Sequence, residues 1–267
     1  MAKHVRSRRP SPLYWLALFF FALVFLVSGG LLLHRLWQDS RVQADFETLE
    51  QQILPAPADT AAGADNTDRF AAITAMNPDF IGWISIEDTG VSFPVMYSPD
   101  RPDFYLRHNF SGEYSDSGTP YLDAACTLTD QRRSNNLIIY GHNMRTGTIF
   151  GPLTEYKKPE TYRDHPIVRL DTLYGDGAYE VFAAFAIDVV EDPDFAYNTY
   201  VDMDEAAFAS FVSQVKARSD VDSGITPVYG DELLTLSTCE YSSPNGRYVV
   251  CARRLADGAE GTDDLDS

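Results

Sequence analysis

Leu233-Leu234-Thr235-Leu236-Ser237-Thr238-Cys239 is an apolar strand pattern that ends in a cysteine. Alternation puts Leu234 and Leu236 on one face and Thr235, Ser237 and Cys239 on the other. Eight residues after the cysteine, Arg247 opens a second β-rich run, Tyr248-Val249-Val250-Cys251-Ala252-Arg253-Arg254. The intervening Glu240 to Gly246, with Pro244-Asn245-Gly246, reads as a turn. Two adjacent strands joined there would bring Arg247 back beside Cys239. Elsewhere, His142 follows another apolar run, Asn136-Leu137-Ile138-Ile139-Tyr140, after a glycine that permits a tight turn. A thiol, an imidazole that titrates near neutrality and a fixed guanidinium are groups that serve acyl transfer. Taken alone, each has a plainer reading: a lone histidine is commonly structural, and a free cysteine is commonly a small buried hydrophobe.

The other candidates are weaker. His108 and His165 lie in loops and read as surface histidines. Arg253 and Arg254 do not follow the turn as Arg247 does. Cys251 sits four residues after Arg247 on the same strand face and, like Cys126, reads as a core thiol; a Cys126–Cys251 disulfide is left open by the sequence. The odd count of three cysteines argues against a disulfide scaffold. There is no CxxC, the five histidines are far apart, and the acids show no EF-hand spacing, so neither a metal nor another cofactor is expected.

These residues need a scaffold. From Phe80 onward, short apolar runs alternate with turn residues: 80–86, 91–97, 120–122, 137–140, 167–170, 179–190, 233–236 and 248–252. Many β-branched and aromatic residues at this spacing predict a mainly β (α+β) domain, a barrel or sandwich. One amphipathic helix is expected over 203–218, with Phe208, Phe211, Val212 and Val215 on one face and Asp202 and Glu205 as a capping box. A second short helix is expected over 68–76.

Leu13 to Leu33 is a run of 21 residues without formal charge. A bilayer core needs roughly 20 helical residues. Lys3, Arg6, Arg8 and Arg9 precede it, which predicts a signal anchor with its N-terminus in the cytoplasm. The run is too long for the apolar region of a cleaved signal peptide, and Leu31-Leu32-Leu33-His34-Arg35 does not resemble a cleavage site. The expected organisation is a basic tail 1–12, a membrane span 13–33, a helical stalk and linker 34–67, a catalytic domain 68–256 and an acidic tail 257–267. Residues 42–267 carry 15 bases and 38 acids, a balance that excludes nucleic acid and anionic lipid as partners of the domain.

Tyr140-Gly141-His142, Thr235-Leu236-Ser237-Thr238-Cys239 and Arg247 at the head of a Val-rich strand together resemble the motif set of the sortases. Gly82-Trp83-Ile84-Ser85-Ile86, Phe93-Pro94-Val95, Phe104-Tyr105-Leu106, Gly118-Thr119-Pro120-Tyr121-Leu122-Asp123 and Gly141-His142-Asn143-Met144 resemble class B in particular. The resemblance spans about residues 68–255. It implies an eight-stranded sortase β-barrel with N-terminal helices and a packed helix before the cysteine strand. It implies Cys239 as the nucleophile, His142 as acid and base, and Arg247 as the oxyanion partner, with Ser237, Thr238 and Glu240 as substrate contacts and the Glu240 N–H as a further donor. The implied partners are secreted proteins with a C-terminal sorting signal, cleaved after Thr, and a cell-wall peptide amine as acceptor. Pilin polymerisation through a lysine is a weaker reading, since 55–67 has no Asp-Pro-aromatic lid motif and Asp192-Pro193-Asp194-Phe195 falls inside the barrel region. Hydrolysis, with water as acceptor, would use the same residues, and a tethered binding module with Cys239 merely buried is the non-enzymatic alternative.

Overall fold

The computed structural model describes residues 12–53, 66–144 and 146–256. The expected linker 55–67 falls almost wholly outside them, as do most of the basic tail and the acidic tail. The chain divides into two compact units between Asp45 and Phe46. The first is occupied by helix α1 (Pro12–Glu50), whose Leu13–Gly30 stretch is long and apolar enough to cross a membrane.

The second unit is the β domain. After α2 (Ala71–Met76) come β1 (Phe80–Ile86), β2 (Val91–Met96), β3 (Tyr121–Leu122), β4 (Asn136–Tyr140), α3 (Pro159–Asp164), β5 (Ile167–Thr172), β6 (Ala178–Asp188), α4 (Glu205–Arg218), β7 (Leu233–Cys239) and β8 (Gly246–Arg254). All eight expected strands form. They close into a barrel in the order β1-β2-β3-β4-β7-β8-β6-β5. Closure pairs every strand on both sides and leaves no sheet edge to solvent. The end of α1 belongs to this unit: Phe46 meets the Phe93 ring at 5.3 Å, and Glu50 accepts a hydrogen bond from the Ser92 hydroxyl.

Two features of the sheet matter for the site. β4 and β7 pair in parallel, from Asn136↔Leu233 to Tyr140↔Ser237, so both chains leave the sheet at the same rim. β7 and β8 form an antiparallel hairpin, so β8 begins at that rim as well. Helix α4 packs on the outer face of β6, burying Phe208, Phe211, Val212 and Val215 against Phe182, Phe185, Phe195 and Val249. Each such side chain contributes about 1.5–3 kcal/mol of hydrophobic stabilisation.

One detail of α4 differs from expectation. The helix begins at Glu205, and its N-cap is Asp204, whose carboxylate accepts from the Ala207 N–H at 2.8 Å. Asp202 instead pairs with Arg132 at 2.7 Å. Asp204 has the extended backbone (φ −74°, ψ 176°) that a cap requires. The third helical position is Ala207, so no reciprocal capping box forms. The short helix expected over 68–76 is α-helical only from Ala71. A 3-10 helix at Gly151–Lys157 and α3 were not anticipated, because neither is long enough to show helical periodicity.

Candidate active site

The register places Arg247 directly opposite Cys239. Opposed residues of an antiparallel pair project to the same face. On the other side of β8, Arg247 faces Ile187 of β6. The face is the outer one, since Ile187, Val249 and Cys251 share it and pack in the cluster under α4. The parallel register ends at Tyr140↔Ser237, and His142 and Cys239 each lie two residues beyond it. Ile187, Arg247 and Cys239 thus form a row across three strands, and His142 follows the end of β4 at the same rim of the barrel.

The hairpin is drawn tight after the cysteine. The Glu240 N–H donates to the Gly246 carbonyl at 2.9 Å, and Arg247 Nη1 donates to the same oxygen at 2.9 Å. A Cβ on Gly246 would lie 2.4 Å from the Glu240 carbonyl oxygen, so only glycine fits there. The Glu240 N–H expected as an oxyanion donor is therefore already engaged. Arg247, the ladder partner of Cys239, spends only Nη1 on this bond.

His142 is held from two directions. Its carbonyl accepts from the Phe150 N–H at 2.9 Å, closing the loop that follows β4. Gly141 lies flat against the Phe150 ring, where a Cβ would come within 2.6 Å. The imidazole Nε2 lies 2.7 Å from the Leu106 carbonyl. A carbonyl only accepts, so Nε2 carries the hydrogen and Nδ1 is the nitrogen left for proton transfer. Burial lowers the His142 pKa below its usual value of 6.5. Arg107 acts in the same direction, while the Leu106 bond and Asp116 oppose it.

The expected substrate-contact residues separate. Ser237 lies in the row's face, buried, with its hydroxyl 2.7 Å from that of Tyr197. Glu240 is 9% exposed and pairs with Lys157 at 2.8 Å. Burial pushes its carboxyl up, but Lys157 and the hydroxyl and N–H of Ser242 outweigh that and hold it below the ordinary value. Thr238 alternates to the opposite face, inside the barrel, is 2% exposed, and its hydroxyl finds no partner. It offers no side chain to a groove on the Cys239 face, a correction to the reading that grouped it with Ser237.

All three cysteines are free. Cys126 and Cys251 are buried, and burial pushes each thiol up to about 12. Cys126 takes the Ile138 N–H at 3.4 Å, and Cys251 lies 3.8 Å from the Thr235 hydroxyl, so no Cys126–Cys251 bridge exists. Cys239 alone is partly open to solvent. Residues that sequence reasoning passed over also line this rim: Tyr197, Lys157 and Tyr241, each placed by contacts with residues distant in the chain. Asn143, read in the sequence only as part of the segment that carries His142, is there as well.

A profile of the sortase domain matches residues 84–255. The chain belongs to the sortase family. It is 28% identical over 229 residues to sortase B of Listeria monocytogenes, covering 85% of this chain and 90% of that protein. A Staphylococcus aureus sortase B–substrate complex superposes with a TM-score of 0.72 at 26% identity, covering 82% of this chain and 98% of that one. A sortase B complexed with triglycine superposes at 0.71 with 27% identity, covering 81% and 98%. These likenesses make the protein a class B sortase, a cysteine transpeptidase of cell-wall anchoring. The closed eight-stranded barrel is the fold of this class. In this sortase the face carrying Cys239 and Arg247 is walled by the β6–α4 connection, through Phe195 and Tyr197, and the Leu106 carbonyl on a separate segment holds the His142 imidazole.

Proposed function

We propose that this sortase is a membrane-anchored enzyme whose nucleophile is Cys239, whose acid and base is His142 and whose oxyanion partner is Arg247. The observation that carries this reading is the pairing of Arg247 with Cys239 across the β7–β8 hairpin, with His142 leaving the neighbouring strand β4 at the same rim. Cys239 gives its thiol proton to His142 Nδ1, and the resulting thiolate attacks the carbonyl carbon of a Thr in a C-terminal sorting motif. The C–O π electrons move onto oxygen, where the Arg247 guanidinium stabilises the developing charge. As the tetrahedral species collapses, the C–N bond breaks and the proton on His142 Nδ1 passes to the departing amine. The resulting thioester is attacked by an incoming amine, which gives a proton to Nδ1. The S–C bond then breaks and Cys239 is regenerated. Ser237, on the Cys239 face, contacts the bound motif, while Glu240, held by Lys157, braces the end of the cysteine strand.

The acceptor is the free amine of a cell-wall peptide. The triglycine bound to a structural neighbour supports an oligoglycine-like amine. Leu13–Leu33 spans the membrane, with the basic tail 1–12 cytoplasmic, 34–67 as stalk and linker, and the domain 68–256 outside the cell, followed by the acidic tail.

The test uses the full chain in detergent, a library of fluorogenic sorting peptides and added triglycine. Cleavage that requires Cys239, with a product carrying glycine at the Thr carboxyl, is the expected result. An active Cys239→Ala protein, or release of only the free acid in excess triglycine, overturns the reading.

A further inference from the structure

The sheet between β4 and β7 ends in an unusual way. Its last ladder bond runs from the Gly141 N–H to the Ser237 carbonyl at 3.1 Å. In a parallel ladder, bonds from one strand recur every second residue. A continued strand would send the Asn143 N–H to the Cys239 carbonyl. That carbonyl is instead taken by the side chain of Asn143, whose Nδ2 donates at 2.9 Å. The backbone has by then turned away, since the His142 carbonyl is engaged by the Phe150 N–H. An amide side chain thus completes the ladder while the main chain curls, and the curl keeps His142 at the rim.

A second bond secures the same residue from the far side. Tyr241, two residues past Cys239, donates its hydroxyl to the Asn143 carbonyl at 2.6 Å. Tyr241 is 67% exposed, so this bond, rather than burial, is what places its hydroxyl. The peptide plane that follows Cys239 is therefore clamped at both ends. Its carbonyl is held by Asn143, and its N–H, that of Glu240, is held by the Gly246 carbonyl.

We infer that Asn143 is a positioning residue for acyl transfer: it fixes the Cys239 carbonyl and thereby the spacing between Cys239 and His142, with the Tyr241 hydroxyl bracing it. The inference rests on the roles proposed above for Cys239 and His142. An aspartate at this position has the same shape but, ionised, no donor, and it repels the carbonyl it faces. Misplacement of reacting groups appears in kcat more than in substrate binding.

The experiment measures peptide cleavage with triglycine for Asn143→Asp, Asn143→Ala, Tyr241→Phe and Cys239→Ala, with a thermal melt for each. Asn143→Asp should lower kcat at pH 7 about tenfold with KM within about twofold. Its activity relative to the unsubstituted enzyme should recover as pH falls through the carboxylate range and the acid regains a proton to donate. Asn143→Ala should show the same loss in kcat with no pH-dependent recovery, and Tyr241→Phe a smaller loss in kcat. The proposal is overturned if Asn143→Asp or Asn143→Ala keeps more than half of kcat. It is equally overturned if the loss falls on KM, or if the Asp variant's deficit is the same at every pH. Should Asn143→Asp fail to melt cooperatively, Asn143→Ala decides by the same kcat and KM criteria. An active Cys239→Ala protein would instead remove the site reading itself.

Discussion

Lys157 and Glu240, 83 residues apart in the chain, form an ion pair at 2.8 Å immediately behind the end of the cysteine strand. The lysine comes from the 3-10 helix that follows the His142 loop, and its ammonium also lies 5.3 Å from the centre of the Tyr248 ring. The pair joins the segment after His142 to the residue after Cys239.

Replacing Lys157 by methionine should therefore cost stability. The lysine side chain is 42% exposed, so solvent screening keeps the loss to about 1 kcal/mol. The Glu240 carboxyl is held below its ordinary value of 4.5, so its contribution is complete above that value and lost as pH falls through the folded-state pKa. Urea denaturation of both proteins should show a constant gap at neutral pH that closes in acid.

His142 gives a dependence of the same sign in a higher pH window. Its folded-state pKa lies below 6.5, so over the window between the two values the unfolded chain binds more protons. Stability from this residue is present above 6.5 and declines as pH falls from there to the lowered value. Chemical denaturation between pH 7.5 and 5 should show this slope in the unsubstituted protein and a flatter one in His142→Gln.

The three thiols should differ sharply in reactivity. Buried thiols held near 12 are scarcely ionised at neutral pH, and alkylation requires the thiolate. Iodoacetamide on the native protein at pH 7.5 should give one adduct by intact mass, mapping to Cys239, and three adducts after unfolding in guanidinium. A native protein alkylated at Cys251 would contradict the burial described for it.

The N-terminus of α4 offers a direct comparison. Asp204→Ala removes the hydrogen bond to the Ala207 N–H and should cost about 1 kcal/mol. Asp202→Ala breaks an exposed pair with Arg132 and should cost less than about 0.5 kcal/mol. Thermal melts of the two variants test which aspartate is the cap.

These two aspartates mark where the sequence stops being legible. Both are good cap residues, two positions apart, and only the local backbone angles select Asp204. The strands were readable because apolar alternation and turn residues are local signals. The pairing of Cys239 with Arg247 was readable too, because a short turn leaves a hairpin little choice of register. The placement of His142 at the same rim was not, since a parallel pair is set by a crossover of about ninety residues between β4 and β7. The same limit hid Tyr197, Lys157 and Tyr241, whose roles depend on partners far away in the chain. Thr238 shows the converse: alternation along β7 already turns it away from Cys239, and strict use of that rule would have separated it from Ser237.

The barrel is closed, but its ring of hydrogen bonds is uneven. β6 and β8 run together over most of their length, whereas β2 and β3 meet only at Met96↔Tyr121. Local opening of a folded protein starts where the fewest backbone bonds must break. The thin link lies next to the segment whose Leu106 carbonyl holds the His142 imidazole. The nucleophile, the guanidinium and the backbone of His142, which follows β4 beside β7, therefore stand on the stiff side of the molecule, and only the Leu106 carbonyl that orients the imidazole belongs to the compliant side. Bending that one weak joint would turn the imidazole while leaving the distance between the two strand ends, the β6–β8 wall and the helix behind it undisturbed.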